Sequence, residues 1–453
     1  MSLNILLLRI TRLTTTFTIM ILASVSTRSS FAFVSQRALR SLARTTPSCR
    51  SRLLTTISST LGSSSFDDTT AATTAATTAA PATVIGDDNA IPLVNILPRF
   101  SQYSLPNVAT DVIPLLPDQR LLCFGDVHGD LAALKNFLEI AQVYDRTSQH
   151  WTGGNAIVVQ CGDVLDRGTE ELACFELLAD LSRQAEAKGG KLILLYGNHE
   201  ALNAVGLFQY AYEGGNVEYE QKLGKVVDKT LSSEKWRLQF AGNQPARWAA
   251  HEPGGLLANV LMRQMKVAVQ VGKTVCVHAG LTKDHLVEYG GLSGMNRQVQ
   301  EWIQQPSIEF VNSGGYESVE DIIQSAENRA QISSKQMPNC LGGGIGAESP
   351  VWMRDYSHPA DLPPKNRHAQ KMINDALKEL QCDRMVMGHT PQRHINSALE
   401  GKAWRVDVGA SRGVMGGTPE VLEIIGGVNE QVNVLTRSGR IAGAQRQTIA
   451  AIF

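Results

Sequence analysis

The sequence is short of three things: closely spaced cysteines, charge imbalance and long apolar runs. Its seven cysteines are scattered, with no C-x-x-C pair, so neither a zinc ribbon nor a disulfide scaffold is indicated. Lys and Arg number 42 against 43 Asp and Glu, a formal net charge of −1. No strong basic block lies beyond the N-terminal stretch, which argues against a general nucleic-acid role. No later run is long and apolar enough to span a membrane. A further absence marks the start: the first 66 residues hold no Asp and no Glu, yet eight Arg.

An Arg-rich, Ser-rich, acid-free leader reads as a targeting presequence, residues 1–65. Its apolar stretch, Leu13–Val25, follows Arg9 and Arg12. That resembles the h-region of a signal peptide and is too short and Thr-laden for a membrane span. Ser30 and Phe31 then precede Arg37, Arg40, Arg44, Arg50 and Arg52. This resembles the bipartite plastid presequences of algae with secondary plastids, where signal and transit peptides join at a phenylalanine. The expected destination is the plastid (chloroplast), with mitochondrion or secretion as alternatives. Residues 66–92 read as a disordered linker: their middle alternates Thr and Ala pairs, with no aromatic or branched aliphatic side chain to bury. The folded part is expected over residues 93–453.

Three stretches there share one pattern. Arg120–Phe124, Ala156–Cys161 and Leu192–Leu195 are short apolar runs that read as buried strands, each followed by a Gly-flanked polar turn and a helical pattern. The turns are Gly125-Asp126-Val127-His128-Gly129-Asp130, Gly162-Asp163-Val164-Leu165-Asp166-Arg167-Gly168 and Tyr196-Gly197-Asn198-His199-Glu200. Strand ends at such turns are where open α/β sheets bind ligands. Asp126 and His128, two apart, suit Zn, Mn or Fe. Alone, they equally suit a helix N-cap and a satisfied histidine. Asp163 and Asp166 beside Arg167 suit metal and phosphate together. Cys123, Cys161 and Cys276 lie inside strand-like runs and read as small buried hydrophobes.

In that order, G-D-x-H-G, G-D-x-x-D-R-G and G-N-H-E resemble the motif set of the calcineurin-like metallophosphoesterases. The Arg of the second motif and the Glu of the third resemble the phosphoprotein phosphatase (PPP) branch. That family requires two further histidines, and His278 and His389 each follow a strand-like run, Lys273–Val277 and Arg384–Met387. Val351-Trp352-Met353-Arg354 before the last His, a helical insert over about 201–264, and Asp407-Val408-Gly409-Ala410-Ser411-Arg412-Gly413 resemble the Shewanella-like protein phosphatases. The Ser-Ala-Pro-Asn-Tyr-Cys toxin-contact motif of the common Ser/Thr phosphatases is missing. A plastid presequence would fit the first of that branch's two plant groups.

The resemblance implies an α/β fold: a four-layer α/β/β/α sandwich of two sheets between helices, with a helical insert. It implies two divalent metal ions (Mn, Fe or Zn), one on Asp126, His128 and Asp163, the other on Asp163, Asn198, His278 and His389. A bridging hydroxide would attack phosphorus, His199 would protonate the leaving oxygen, and Asp166 would hold His199. Arg167 and Arg354 would bind the phosphate, with a surface ion pair to Asp355 as the alternative reading of Arg354. The expected activity is metal-dependent hydrolysis of Ser/Thr, or Tyr, phosphomonoesters in phosphorylated proteins. The alternatives are a small-molecule phosphoesterase, such as a dinucleoside tetraphosphate hydrolase, and an inactive binding module. The aromatics of the insert, Tyr210, Tyr212, Tyr219, Trp236, Phe240 and Trp248, are expected to form a cap core that overhangs the site.

Overall fold

The computed structural model describes residues 97–223, 244–305, 330–344 and 346–448. The presequence, the linker, Trp236 and Phe240 lie outside the described residues.

The strands run in chain order as β1 Val112–Ile113, β2 Arg120–Phe124, β3 Tyr144–Asp145, β4 His150–Trp151, β5 Ile157–Gln160, β6 Lys191–Leu194, β7 Ala268–Val271 and β8 Thr274–Val277. They continue as β9 Arg384–Met387, β10 Asn396–Ala398, β11 Ala403–Arg405, β12 Val421–Ile425, β13 Gln431–Thr436 and β14 Gly439–Ala442. The α-helices are α1 Leu131–Ile140, α2 Glu171–Ala187, α3 Asn198–Ala204, α4 Glu213–Leu223, α5 Pro245–His251, α6 Leu256–Val260, α7 Lys283–Tyr289, α8 Leu292–Gln304 and α9 Ala369–Leu380.

Two six-stranded mixed sheets result. One has the order β14-β13-β12-β2-β5-β6, the other β1-β7-β8-β9-β11-β10. In the first, β2, β5 and β6 are parallel, with Phe124 opposite Gln160 and Gln160 opposite Leu194. Their carboxyl ends are therefore level, and the three polar turns leave the sheet side by side. In the second, β8, β9 and β11 are parallel, with Cys276 opposite Val386. That brings the turns bearing His278 and His389 together as well. The central strands β2, β5, β6, β8 and β9 are largely apolar and buried on both faces. Cys123 Sγ of β2 lies 3.7 Å from Cys276 Sγ of β8, so the sheets meet face to face. Both cysteines and Cys161 are fully buried, as their sequence context predicts.

Helices cover the outer faces through amphipathic stripes. In α1, Leu134, Phe137 and Leu138 are buried, and Asp130 caps its start by accepting from the Ala133 N–H at 3.0 Å. The longer α2 buries Leu172, Phe175, Leu178, Leu181 and Ala185. Its first N–H groups are met from the insert: Glu218 of α4 accepts from Leu172 N at 2.8 Å and Ala173 N at 3.0 Å. Among the insert aromatics, Tyr219 and Trp248 are buried as a cap core requires. Tyr210 and Tyr212 are not; they are 37% and 57% exposed. They sit on the connection that precedes α4. Among the described residues no helix is long and apolar enough to cross a membrane.

Candidate active site

All ten residues singled out by the motifs converge at the facing carboxyl ends of the two sheets. Several turns carry strain. His128, Asp163, Asp166, Arg167 and His389 have φ between +47° and +67°, a left-handed conformation that costs about 1–2 kcal/mol for an ordinary residue. The surroundings hold it in place. Glu200 is fully buried; its Oε2 accepts from Asp163 N and Gly197 N, each at 2.8 Å, and its Oε1 from Val164 N at 2.9 Å and Leu165 N at 3.1 Å.

Each candidate ligand histidine has one ring nitrogen anchored on a backbone carbonyl. His128 Nδ1 donates to Leu165 O at 2.8 Å, His278 Nδ1 to Cys161 O at 2.7 Å and His389 Nε2 to Trp352 O at 3.1 Å. Such anchoring fixes the tautomer and turns the other nitrogen's lone pair inward. His278 Nε2 then lies 3.1 Å from His389 Nδ1, 3.0 Å from Asn198 Oδ1 and 3.3 Å from Asp163 Oδ2. Lone pairs and a carboxylate at such distances repel unless a cation or a proton stands among them. His128 Nε2 is 3.9 Å from both Asp126 Oδ2 and Asp163 Oδ2. Among the described residues, two groups have donor atoms all within 4.8 Å of one another: His128, Asp163 and His199, and Asp163, His278 and His389. Asp163 is common to both.

Two glycines make room for this centre. A Cβ on Gly197 would lie 2.0 Å from Asp163 Oδ1, and one on Gly388 would lie 2.5 Å from Asp126 Oδ1. The donor set, the fixed tautomers and this cleared space fit divalent cations.

The electrostatics agree. Burial, reinforced by His199, pushes the His128 imidazole down to about 3, so it is neutral, as a ligand must be. Burial, with His278 and Arg354 nearby, pushes His389 well down too. His278 goes the other way: burial lowers it, but Asp163 raises it more, and the proton so favoured occupies the place a cation would take. Burial works against the Asp163 carboxylate, yet His278, His199 and His128 hold it well below the usual range.

Beside this centre lies a second arrangement. His199 Nδ1 is 2.6 Å from Asp166 Oδ2, and both are buried. Burial lowers the imidazole, but Asp163 and the Asp166 hydrogen bond outweigh it, and the net shift is upward. Arg167 Nη2 approaches His199 Nε2 at 3.3 Å, and its guanidinium lies 5.5 Å from the centre of the Tyr210 ring. Tyr210 thus overhangs the site. Arg354 donates to Thr390 Oγ1 at 2.7 Å and His389 O at 3.3 Å. Asp355 accepts from Asn366 at 2.6 Å, so Arg354 leans into the site rather than pairing with its neighbour.

Motif reading gave some residues too little or no part. Glu200 served only as a branch marker, although its four N–H contacts hold the Asp163 turn. Asp407 is buried against Asp126; one oxygen accepts from Gly409 N at 2.7 Å, and burial pushes its carboxyl up to about 6. The D-V-G-x-S-x-G pattern marked its position without giving it a role. Arg412 ties the same segment to Asp130 at 2.8 Å. Arg247 and Asn203, both buried beside Asp166, carried no local sequence signal.

A family model for calcineurin-like phosphoesterases matches residues 119–409. Shewanella-like protein phosphatase 2 of Arabidopsis thaliana is 34% identical over 331 residues, covering 68% of this chain and 75% of that protein. An uncharacterized protein of Schizosaccharomyces pombe is 30% identical over 289 residues, covering 63% of this chain and 71% of its own length. Among solved structures, the cold-active protein-tyrosine phosphatase of a psychrophilic Shewanella superposes with a TM-score of 0.51 at 16% identity, over 81% of this chain and 91% of that one. That last likeness concerns the fold: two mixed sheets with flanking helices. With the motifs on its strand ends and these relatives beside it, the chain belongs to the calcineurin-like phosphoesterase family and, within it, to the Shewanella-like protein phosphatases.

Proposed function

We propose that this metal-dependent protein phosphatase hydrolyses Ser/Thr phosphomonoesters of proteins, with phosphotyrosine as a further substrate class, through the ten residues assembled above. The observation that carries the reading is the convergence of three tautomer-fixed imidazoles on Asp163, next to the His199–Asp166 pair. The tyrosine class draws on the Shewanella protein-tyrosine phosphatase that shares the fold.

One cation would be held by Asp126, His128 and Asp163, the other by Asp163, Asn198, His278 and His389. His199 also lies near the first group, but its Nδ1 is taken by Asp166 and its Nε2 faces a guanidinium. We therefore keep Asp126 as the ligand and His199 as the proton donor. The mixed nitrogen and oxygen donors suit Mn, Fe or Zn. Bound there, divalent cations supply Lewis acidity that polarises the phosphoryl group and acidifies water.

The chain's own residues do the rest. Arg167 and Arg354 flank the centre and offer charge-assisted hydrogen bonds to the non-bridging oxygens. A phosphate that draws Arg167 away from His199 leaves Nε2 free to carry a proton. His199 gives that proton to the leaving oxygen, while Asp166 fixes the ring by Nδ1–H. The direct test is phosphate release by the purified protein from phosphoserine, phosphothreonine and phosphotyrosine peptides, with and without Mn²⁺. Metal-dependent release is expected. Release from dinucleotides alone would instead favour a small-molecule esterase.

We also propose plastid delivery, supported by the acid-free, Arg-rich leader with its Ser30–Phe31 junction. The Arabidopsis relative bears the number of the other plant group, so its name adds nothing to that reading. Retention of a fluorescent fusion of the leader outside plastids would refute it.

A further inference from the structure

Arg247 sits on α5, in the insert between the third and fourth motifs, and is 1% exposed. Its Nε donates to Asn216 Oδ1 at 2.8 Å and its Nη2 to Glu171 Oε1 at 2.6 Å. Its Nη1 donates to Asn203 Oδ1 at 2.6 Å and Asp166 Oδ1 at 3.3 Å. The guanidinium face lies 4.5 Å from the Tyr219 ring centre and 5.7 Å from that of Phe208. Asn216 and Tyr219 are on α4, Glu171 opens α2 and Asn203 is on α3. One side chain thus pins two insert helices to the two helices that leave the motif turns.

The connection to Asp166 matters most. Asp166 Oδ2 holds His199 Nδ1, and Oδ1 is held by Asn203 Nδ2 at 3.0 Å as well as by Arg247. Asp166 lies on a turn with φ +67°. Contacts to both oxygens define the plane of its carboxylate, and that plane aims the imidazole. Asn203 shares α3 with the third motif, whereas Arg247 reaches Asp166 from α5, a separate helix, and its fork geometry suits several acceptors at once.

We propose that Arg247 is a positioning residue: it couples the helical insert to Asp166 and thereby aims His199 Nε2 at the leaving oxygen. The proposal rests on the reading of His199 as proton donor given above.

The test uses leaving groups of different need. An alkyl monoester, phosphoserine in a peptide, requires a proton as its P–O bond breaks. p-Nitrophenyl phosphate releases a stabilised anion and does not. In metal-loaded full-length enzyme, Arg247→Lys should lower kcat on the phosphoserine peptide by about 10- to 100-fold, since misaiming an acid forfeits part of its contribution. On p-nitrophenyl phosphate it should change kcat by less than about 3-fold on the same ground. Metal content should not change. Equal loss on both esters, or no loss on either, overturns the proposal. Arg247→Met paired with Glu171→Gln removes opposite charges together and should show the same selectivity; if it does not fold, Arg247→Lys, which keeps the buried charge, decides. His199→Ala separates the two claims. If it too affects both esters equally, the donor reading fails. If it is selective and Arg247→Lys is not, only the positioning role fails.

Discussion

Replacing Glu200 by Gln changes no volume and removes one negative charge, yet it should damage both fold and metal site. The Glu200 carboxylate accepts four backbone N–H groups, from Asp163, Val164, Leu165 and Gly197. A glutamine keeps one acceptor oxygen and turns an NH₂ toward the other pair of donors. Two buried N–H groups then lose their partner, at about 1–3 kcal/mol each. A total near 4 kcal/mol should lower Tm by roughly 5–10 °C in a domain of this size. The turn that loses its tether bears Asp163 at φ +57°, so relaxation moves the residue shared by both candidate cation sites. Cation affinity should fall about 10- to 100-fold, the usual cost of losing an outer partner. Scanning calorimetry and equilibrium dialysis with Mn²⁺ measure the two effects. A Tm within about 2 °C of wild type, with affinity within about 2-fold, would refute the tethering argument.

Three further outcomes are expected. His199→Ala should keep its metals and lose about 10²- to 10⁴-fold in kcat; a matching loss of metal content would sink the acid role. Asp163→Asn should weaken both cation sites by more than the about 10- to 100-fold typical of an outer partner, and unchanged metal content by elemental analysis would disprove the bridge. Cation affinity should fall with pH, because burial is outweighed by Asp163 at His278, whose raised pKa sets a proton against the cation at Nε2. Below that pKa the expected slope is about tenfold per pH unit, and flat Mn²⁺ dialysis across roughly pH 5 to 8 would contradict it.

The motif-bearing half of the molecule was legible because its information is local. The runs read at Arg120–Phe124 and Arg384–Met387 are strands with those limits, and Ala156–Cys161 differs from β5 by one residue at each end. A strand buried on both faces favours apolar residues almost throughout, and a turn that holds metal must be polar, so the boundary is sharp in sequence. Arg247 had no such marker. It lies among Pro, Ala and Trp on a short helix, and its partners come from four other segments. Tyr210 misled for a related reason. Aromatic spacing signals burial on average, but a rim residue over a catalytic centre can have the same spacing and remain 37% exposed. Asp407 was seen as part of a pattern, but its place against Asp126 depends on β11 reaching the second sheet beside β9.

The order of strands has a consequence for the growing chain. By about residue 200 the ribosome has supplied β2, β5 and β6, with Asp126, Asp163 and Asn198 at their ends. The partners that finish the second cluster, His278 and His389, arrive much later. Strand β2 waits longer still, because its other neighbour, β12, begins only at Val421. Until then a central strand presents an open edge, the kind of surface that invites pairing with another chain. A partly made chain is therefore both inactive and adhesive; the turn after β9, with His389, completes the second cluster, and β12 closes the open edge.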